Sequence, residues 1–411
     1  MIPIVTPAEM AAIDAAAPVP VAALVERAGA AVARAAATRL QRRGVRCVVL
    51  DPDIAALPVE VDLVIDAAYG TGLSRPYDFP TVPEGVPVLA VDIPSGVDGL
   101  TGARLGSPAA ADRTITFAAL KPGLLLEPGR ELSGEVVVAD IGLDTGDAMI
   151  DLVEGSDVAD WLPVPAATVH KWHHAIRIIG GSPAMTGAPR LAARSAQRLG
   201  AGYVQVAIPG RDGVDDLVEA VGHPLPASAW GVAAVADLDR VAAVLLGPGL
   251  GPGHDVDVAT ALGVDRPLVL DGDALQAEFL DAIRDRAAPT VLTPHGGEFA
   301  RLAGHTTTDP IAATREFAAS IDAVVVHKGP TTIVADPDGP VLVVANGGPA
   351  LATAGTGDVL AGAITALLAQ GVDPLCAAAS AAWLHAEAGR EQVGLVASDL
   401  PDRLALLLTD G

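Results

Sequence analysis

The stretch LATAGTGDVLAG, Leu351–Gly362, places glycine and small polar residues directly before an aspartate and an apolar, helix-like run. A helix N-terminus attracts anions, because its first N–H groups have no intrahelical partner and its dipole end is positive. Asp358 therefore has two interpretations. It caps a helix, or it is a general base beside a phosphoryl group that the N–H groups of Gly355, Thr356 and Gly357 hold.

The residues around this stretch, 170–411, alternate short apolar runs with helical patterns. Continuous apolar runs such as VAAVLLGPG (241–249) indicate strands that are buried on both faces, as in a mostly parallel sheet. Helical patterns such as PAMTGAPRLAARSAQRLG (183–200) follow these runs. The order predicts a three-layer α/β/α domain with helices on both faces of the sheet.

A second α/β domain is predicted for residues 1–145. An alanine-rich helical pattern at 20–42 precedes apolar runs that include RCVVL (46–50) and DLVIDAA (62–68), which indicate strands of another largely parallel sheet. The acidic and then proline-rich segment 146–169 predicts a linker with one short element. The two halves share a structural class but no repeated motif.

The composition excludes several classes of function. A net charge of −24 makes binding to nucleic acid or to anionic lipid through a basic surface improbable. No window holds about 18 uninterrupted apolar residues and the first residues lack a basic segment, so we expect neither a membrane span nor a signal peptide. Cys47 and Cys376 predict buried free thiols in a reducing cytoplasm. The lysines are only Lys121, Lys171 and Lys328, so each invites attention.

The turn LLGPGLGPG (245–253) resembles a dinucleotide fingerprint, with Asp271 downstream for a ribose contact. His254 stands where the third glycine belongs and Pro252 intervenes, which disfavours a dehydrogenase. The pattern leaves two alternatives, a tight turn without a ligand and a close approach of backbone to a different ligand.

Two further turns carry candidate ligand contacts. In LTPHGGEF (292–299), His295 is either structural or a ligand contact, and the absence of a second histidine at ligand spacing disfavours a metal. In VVHKGPTTIV (325–334), Lys328 at a strand end is either a surface lysine or a phosphate contact. No Walker loop of the form GxxxxGK[ST] occurs in the sequence.

Residues 170–411 resemble the ribokinase-like NAD(P)H-hydrate dehydratases over nearly their whole length. The matching stretches, in chain order, are HK at 170–171, IGGSPAMTGAPRLAARSAQRLGAGYVQVA, LGPGLG, LDGDAL, LTPHGGEFARL, HKGPTTIV, NGGPALATAGTGDVLAGAITALLAQG and WLHAEAG. The resemblance implies that a nucleotide phosphorylates the ring hydroxyl of hydrated NADH or NADPH, after which phosphate leaves and the cofactor re-forms. It implies ADP, or ATP, as phosphoryl donor, with Mg²⁺ held mostly on the nucleotide phosphates.

This resemblance also assigns site residues by motif, with Asp358 as the base and Gly355, Thr356 and Gly357 as the anion hole. The implied nucleotide contacts are Lys328, Gly329, Pro330, Thr331, Thr332 and Gly357. The implied contacts to the hydrated dinucleotide are Ala188, Gly249, His295 and Asp358. Gly296 departs from the usual proline, and KWHHA (171–175) from a longer turn that contains glycine. A small-molecule kinase of the same fold is the alternative function.

Residues 1–145 resemble the partner activity, NAD(P)H-hydrate epimerase. The matching stretches are LVERAGAAVARAA, LVIDAAYGTGLSRP, VLAVDIPSGVDGLTG, TFAALKPGLLLEPG and GEVVVADIGL. The resemblance implies a Rossmann-like three-layer sandwich with potassium ligands at Asp66 and Ser95. The implied substrate contacts are Gly70, Thr71, Gly72, Leu73, Ser74, Arg75 and Asp92, and Asp92 is the one near the acid/base chemistry.

One family feature is missing from this half. The family carries a loop of the form Asn-Asn-Gly-Gly-Asp-Gly that grips substrate phosphate and helps to hold potassium, whereas RCVVL runs directly into DPDIAALPVEVDLVID (51–66). We expect a shortened domain with little or no epimerase activity and a structural or oligomerising role. We further expect a cytoplasmic homo-oligomer.

Overall fold

The computed structural model describes residues 1–39, 47–54, 56–58, 60–164, 166–214, 217–390 and 393–408. The chain forms two compact units, Ile2–Asp151 and Leu152–Gly411. The boundary falls inside segment 146–169, the linker expected from the sequence. This segment contains the end of one unit and the start of the other.

The N-terminal unit is built on a parallel sheet. The strands of the whole unit are β1 (Ile2–Ile4), β2 (Val64–Asp66), β3 (Tyr77–Asp78), β4 (Val88–Val91), β5 (Gly106–Ser107), β6 (Arg113–Phe117) and β7 (Glu135–Ala139), with β8 (Ile150–Leu152) at the boundary. Its helices are α1 (Pro7–Ala16), α2 (Val21–Arg39) and α3 (Gly129–Ser133). Strands β2, β4, β6 and β7 pair in this order and are parallel, and β3 pairs with β5.

The two faces of this sheet are covered differently. On one face, Leu89 and Ile115 pack against alanines of α2. On the other face, Val64, Val88 and Ala90 lie beneath apolar side chains from segments without helix or strand, which are Leu57, Val61, Phe79, Val82 and Val86. Loops therefore pack on this face where a complete three-layer sandwich has helices, as expected for a shortened domain.

The strand predicted at 46–50 is wrong over its described part. Residues 47–50 have no regular secondary structure, and Val48 and Val49 are exposed. An apolar run becomes a strand only where a neighbouring strand accepts its hydrogen bonds. Cys47 is exposed and Cys376 only partly buried, so the prediction of two buried thiols is also wrong, although both thiols are free. Arg46, and residues 40–42 of the predicted helix, lie outside the described residues.

The C-terminal unit carries a larger mixed sheet. Its strands are β9 (Ala175–Ile179), β10 (Tyr203–Ala207), β11 (Ala220–Gly222), β12 (Ala243–Leu246), β13 (Leu268–Leu270), β14 (Thr290–Leu292), β15 (Val324–His327), β16 (Thr332–Ala335) and β17 (Val341–Val344). They pair in the order β17-β16-β15-β14-β13-β12-β9-β10-β11. Pairing is antiparallel between β15 and β16 and between β16 and β17, and parallel across the rest.

Helices cover both faces of this sheet, which confirms the predicted three layers. They are α4 (Gly155–Trp161), α5 (Gly187–Arg198), α6 (Gly231–Ala234), α7 (Asp255–Leu262), α8 (Leu280–Arg284), α9 (Gly296–Ala303), α10 (Pro310–Ile321), α11 (Thr356–Ala369), α12 (Pro374–Ala388) and α13 (Leu400–Leu407). Ile178 and Leu245 join the core shared with α5, α11 and α12. Their neighbours Ile179 and Leu246 point to the other face and are equally buried.

Helix α11 lies in the centre of this core. Every residue from Val359 to Ala369 is buried, as expected for a helix that is apolar on all sides. Its closest neighbour is α5, to which it is joined by a 2.7 Å hydrogen bond from Ser195 Oγ to the carbonyl of Val359. Among the described residues, neither α11 nor any other helix combines the length and apolarity needed to cross a membrane.

We expect Gly362→Ala to destabilise the C-terminal unit by about 1–3 kcal/mol, as typical of overpacking in a core. A Cβ at Gly362 would lie inside contact distance of the carbonyl oxygen of Ala192, and backbone cannot move aside as a flexible side chain does. Chemical denaturation measures the change. The matched control is Gly187→Ala on α5, where an added Cβ meets no atom within 4 Å. Equal stability of both variants would contradict the close packing of α5 on α11.

Candidate active site

The glycine-rich turns of the C-terminal unit meet at one edge of its sheet. They follow β9, β12, β14 and β15, and neighbouring parallel strands end at the same edge. The start of α11 reaches this edge as well, because an ideal Cβ on Gly357 would lie 3.2 Å from Lys328 Nζ in the turn after β15. Motifs far apart in the sequence are therefore neighbours.

Asp358 lies in the first turn of α11. The residue before the helix, Gly355, has a φ of +94°, and a Cβ there would lie 2.6 Å from Leu191 Cδ1, so the turn requires glycine. Burial raises the pKa of Asp358 from 3.8 to about 7; nearby Asp271 raises it too, and Lys328 lowers it. A carboxylate that titrates near neutral pH suits the role of general base.

Lys328 makes a buried ion pair beside this carboxylate. Its Nζ lies 2.9 Å from Oδ1 of Asp271, and the Thr293 hydroxyl donates a 2.6 Å hydrogen bond to the same oxygen. The Lys328 side chain is 19% exposed and that of Asp271 only 6%. A fixed ammonium group beside the N-terminus of α11 creates a positive field where a transferred phosphoryl group needs one.

Thr356 contributes to this field through its backbone. Its side-chain hydroxyl lies 3.0 Å from the carbonyl of Leu351 and 3.1 Å from that of Thr353, so the hydroxyl holds the preceding loop. The N–H groups of the first turn have no intrahelical acceptor, because such a bond needs a residue four positions earlier in the helix. Thr356 and Gly357 therefore offer peptide N–H groups to an anion.

The other predicted nucleotide contacts surround the β15–β16 turn. Gly329 and Pro330 are exposed, Thr331 is buried and Thr332 begins β16 opposite Val344. Of this set, Lys328 is the residue that the structure brings against Gly357 and Asp271. The exposed part of the turn leaves backbone accessible at the edge of the site.

Two of the predicted dinucleotide contacts lie together. An ideal Cβ on Gly249 would be 3.0 Å from the Cβ of Ala188, so the turn after β12 packs directly against the first turn of α5. Gly249 has a φ of +67°, which favours glycine. Nearby, the N–H of Gly251 donates a 2.8 Å hydrogen bond to Oδ2 of Asp273. These contacts fix the conformation of the turn at this edge of the sheet.

His295 has a structural task in addition to any ligand contact. Its Nδ1 accepts hydrogen bonds from the N–H groups of Gly297 and Glu298 at 3.1 and 3.3 Å, and it thereby caps α9. The side chain is 62% exposed, and Nε2 lies 3.6 Å from Oε1 of Glu298. An isolated bridge pairs His295 with Lys328, which places the two turns side by side.

Sequence reasoning missed two functional candidates. The sequence predicts Asp271 only as a ribose contact in a dehydrogenase, whereas in the structure it forms the ion pair that holds the Lys328 ammonium in place. His385 on α12 is buried, its Nε2 has no hydrogen-bond partner among the described residues, and it contacts the Thr356 backbone. Burial lowers the pKa of His385 to about 4, so it is neutral. A single histidine in the alanine-rich helix of WLHAEAG was the available signal.

The N-terminal unit holds a second polar cluster. The N–H and Oγ of Ser95 donate to Oδ2 and Oδ1 of Asp66 at 2.7 and 2.5 Å, and Ser95 Oγ lies 3.0 Å from the carbonyl of Tyr69. Burial raises the pKa of Asp66. Carboxylate, hydroxyl and carbonyl oxygens converge here, and oxygen ligands are the kind that hard cations prefer.

Asp92 lies beside this cluster and faces Gly70. An ideal Cβ on Gly70 would be 3.1 Å from Oδ2 of Asp92, whose own φ is +70°. Lys121 Nζ lies 2.7 Å from the other carboxylate oxygen and 2.8 Å from Oγ1 of Thr116, and its side chain is 1% exposed. Lys121 is a further candidate residue of this cluster, and in the sequence only the rarity of lysine signalled it.

The remaining predicted epimerase contacts have separate surroundings. Leu73 is buried in the protein, whereas Gly72 and Ser74 are exposed. Arg75 donates a 2.8 Å hydrogen bond to the Tyr69 hydroxyl. Thr71 packs beside Gly99, where an ideal Cβ would lie 3.1 Å from the Thr71 methyl carbon. The structure thus brings Gly70 and Asp92 together and directs Leu73 away from solvent.

Family models match both units. A model described as NAD(P)H-hydrate dehydratase matches residues 176–405, and one described as YjeF-related protein N-terminus matches residues 8–123. A bifunctional NAD(P)H-hydrate repair enzyme Nnr of Mycobacterium tuberculosis is 38% identical over 372 residues, which cover 82% of this chain and 76% of the relative. Its counterpart in Salinibacter ruber is 41% identical over 393 residues, with 85% and 72% coverage.

Solved structures match the C-terminal part. An ADP/ATP-dependent NAD(P)H-hydrate dehydratase from Bacillus subtilis, co-crystallised with ATP/Mg²⁺, is 32% identical with a TM-score of 0.55, and the match covers 62% of this chain and 95% of that one. A ribokinase-like superfamily protein from Enterococcus faecalis is 22% identical with a TM-score of 0.54 over 64% and 96%, and supports the fold alone.

Proposed function

We propose that this chain, which belongs to the family of bifunctional NAD(P)H-hydrate repair enzymes, repairs its substrate through phosphoryl transfer at Asp358. Its C-terminal unit is the NAD(P)H-hydrate dehydratase domain, and its substrate is hydrated NADH or NADPH. The observation that supports the proposed mechanism is the convergence of Asp358, Lys328 and the first turn of α11 at one edge of the sheet.

The reaction begins at the hydroxyl of the hydrated ring. Asp358 takes the hydroxyl proton while the oxygen attacks the terminal phosphorus of ADP or ATP, and the bond to the bridging oxygen breaks to release AMP or ADP. Lys328 and the N–H groups of Thr356 and Gly357 stabilise charge on the phosphoryl oxygens. Loss of phosphate and of a ring proton then restores the double bond of the nicotinamide.

Magnesium would enter this site bound to the phosphates of the nucleotide. Among the described residues, no group of three or more His, Cys, Asp or Glu side chains is placed to hold a metal ion. Mg²⁺ commonly binds through nucleotide phosphates with few protein ligands, and there it neutralises phosphate charge. The Bacillus subtilis dehydratase was co-crystallised with ATP and Mg²⁺, and this supports the same combination of nucleotide and metal here.

An assay with (S)-NADH hydrate tests the proposal. The full chain with Mg²⁺ and either ADP or ATP should restore the absorbance of the reduced nicotinamide and release phosphate and AMP or ADP in equal amounts. We expect ADP to be the preferred donor. Accumulation of a phosphorylated product without restored absorbance would indicate a small-molecule kinase, and no consumption of nucleotide would refute the mechanism.

The N-terminal unit is an epimerase domain by family, and we propose that its epimerase activity is weak or absent. The loop-covered face of its sheet and the irregular backbone at 47–50 support this proposal. We expect (R)-NADH hydrate to convert to the S epimer no faster with this chain than in buffer alone. Rapid conversion would overturn the proposal, and loss of that activity in Asp92→Asn would then locate the site at Asp92.

Three finer properties are proposed from the family. Potassium would bind at Asp66 and Ser95, where oxygens converge, and its removal should lower the thermal stability of the full chain if the ion is held there.

We propose a cytoplasmic homo-oligomer, for which light scattering should give a multiple of the chain mass of 41.3 kDa. A single-chain mass would refute the oligomer.

A further inference from the structure

His327, the last residue of β15, holds a fixed ring next to the proposed site. The ring stacks on Phe299 with 4.1 Å between centroids and 6° between planes, and Phe299 itself packs edge-on against Phe317 at 5.4 Å. The next residue along the chain is Lys328. A ring that stacks on Phe299 and is hydrogen-bonded to Thr314 through Nδ1 cannot rotate freely, so its nitrogen atoms have fixed directions.

The hydrogen bonds of Thr314 decide which nitrogen of His327 carries the proton. Thr314 Oγ1 lies 2.6 Å from the carbonyl of Pro310 and 3.0 Å from Nδ1 of His327. A hydroxyl has one proton, and the carbonyl can only accept. Thr314 therefore donates to Pro310, Nδ1–H donates to Thr314, and Nε2 keeps a free lone pair. Burial lowers the pKa of His327 to about 4, so this neutral form persists at physiological pH.

The Nε2 atom faces Gly296 at the start of α9. An ideal Cβ on Gly296 would lie 4.0 Å from Nε2, with no other atom nearer, and Gly296 is exposed. No hydrogen bond to Nε2 occurs within the described residues. The acceptor thus opens beside His295 and Lys328, which belong to the proposed dinucleotide and nucleotide contacts and are paired through an isolated bridge.

We propose that Nε2 of His327 accepts a hydrogen bond from an amino, amide or hydroxyl group of a bound nucleotide and so contributes to substrate selection. Phosphate oxygens have no proton to donate, so this contact reads the base, sugar or carboxamide part of the ligand. Both the phosphoryl donor and the hydrated dinucleotide carry such groups. The inference rests on the proposed function, since the ligand class comes from it.

Four variants of the full chain test the contact. His327→Phe keeps the ring stack and removes the acceptor. His327→Gln restores an acceptor oxygen near the position of Nε2. Gly296→Ala keeps the backbone N–H and places a methyl group in front of Nε2. His305→Phe makes the same change at an exposed histidine and is the matched control.

We expect the KM of one ligand, ADP or (S)-NADH hydrate, to rise about 3- to 10-fold in His327→Phe, the effect of losing one neutral hydrogen bond. The same KM should rise in Gly296→Ala and stay near the original value in His327→Gln and His305→Phe. Measuring each KM with the other ligand saturating identifies which ligand makes the contact. An increase in His327→Phe without one in Gly296→Ala, or no increase in either, overturns the proposal.

A binding measurement separates this inference from the proposed function. Calorimetric titration with ADP·Mg²⁺ or with NADH reports affinity without turnover. If the unmodified chain binds these ligands but does not restore NADH, the proposed function fails while the variants still test His327. If affinity and KM for both ligands are the same in all variants, the His327 contact fails while the function stands.

Discussion

Replacing Asp358 with asparagine is expected to lower kcat about 100- to 10,000-fold, the contribution typical of a general base. Asparagine has nearly the same shape but cannot accept the proton of the attacking hydroxyl. The measurement is restored absorbance of the reduced nicotinamide with (S)-NADH hydrate and ADP. The control Asp402→Asn removes only exposed ion pairs with Arg194 and Arg198 and should not change kcat. Full activity of Asp358→Asn would show that the base is another group.

The pH dependence of the unmodified chain follows from the same carboxyl group. Its pKa is raised to about 7 by burial, with a further increase from Asp271 and a decrease from Lys328. The base acts when deprotonated, so kcat/KM should rise with pH and level off above about pH 7. This limb should be absent from the residual activity of Asp358→Asn. A rate that is constant between about pH 5 and pH 8 would contradict the assignment.

The contribution of Asp358 to the free energy of unfolding should fall over the pH range in which kcat/KM rises. The folded pKa of Asp358 lies above its ordinary value of 3.8, so the folded state binds this proton more tightly than the unfolded state does. That stabilisation is complete below about pH 4 and is lost as pH rises to about 7. As pH rises through this range, the stability of Asp358→Asn should therefore increase relative to that of the unmodified chain. Denaturation at about pH 5 and about pH 8 measures the difference.

Lys328→Met is expected to lower kcat about 100- to 1,000-fold, as does removal of one donor that stabilises transition-state charge. It should also destabilise the chain by about 3–5 kcal/mol, because Asp271 is left as an uncompensated buried carboxylate. The control is Lys171→Met at an exposed lysine whose ammonium lies over the rings of Trp172 and Tyr203, and it should leave kcat unchanged and lower stability by at most about 1 kcal/mol. Loss of Lys328 also removes the group that lowers the pKa of Asp358, so the pH limb should move upward.

A double variant separates the two roles of Lys328. Adding Asp271→Asn to Lys328→Met neutralises the unpaired carboxylate and should recover most of the lost stability without recovering activity. Recovery of both would mean that Lys328 acts only through the fold. Failure to recover stability would mean that the ion pair between Lys328 and Asp271 is not the source of the loss.

The sequence predicted the C-terminal fold well because its strands have a clear local pattern. Runs such as VAAVLLGPG are apolar at every position, and the structure buries both sides of β12. The predicted strand at 46–50 failed for the complementary reason. An apolar run carries no information about whether a neighbouring strand is present to pair with it, and the exposed Val48 and Val49 have no such neighbour among the described residues.

The site shows the same division. Asp358, Lys328 and the glycines between them followed from motif and resemblance, since a helix start with small residues has a recognisable local pattern. The pairing of Lys328 with Asp271, which lies 57 positions earlier, could not be predicted from the sequence. An aspartate after a strand has the same local sequence pattern whether it binds a ligand or pairs with a lysine. The free lone pair of His327 likewise depends on Thr314, on a different element.

By itself, the sequence determined the class of both domains, the order of their motifs and the class of reaction, because these depend on local patterns of burial, turn geometry and residue type. Only the tertiary structure decided which charges meet, which carboxyl group is buried deeply enough to titrate near neutral pH, and which histidine nitrogen is free. Those properties depend on distances between distant segments, and packing alone fixes such distances.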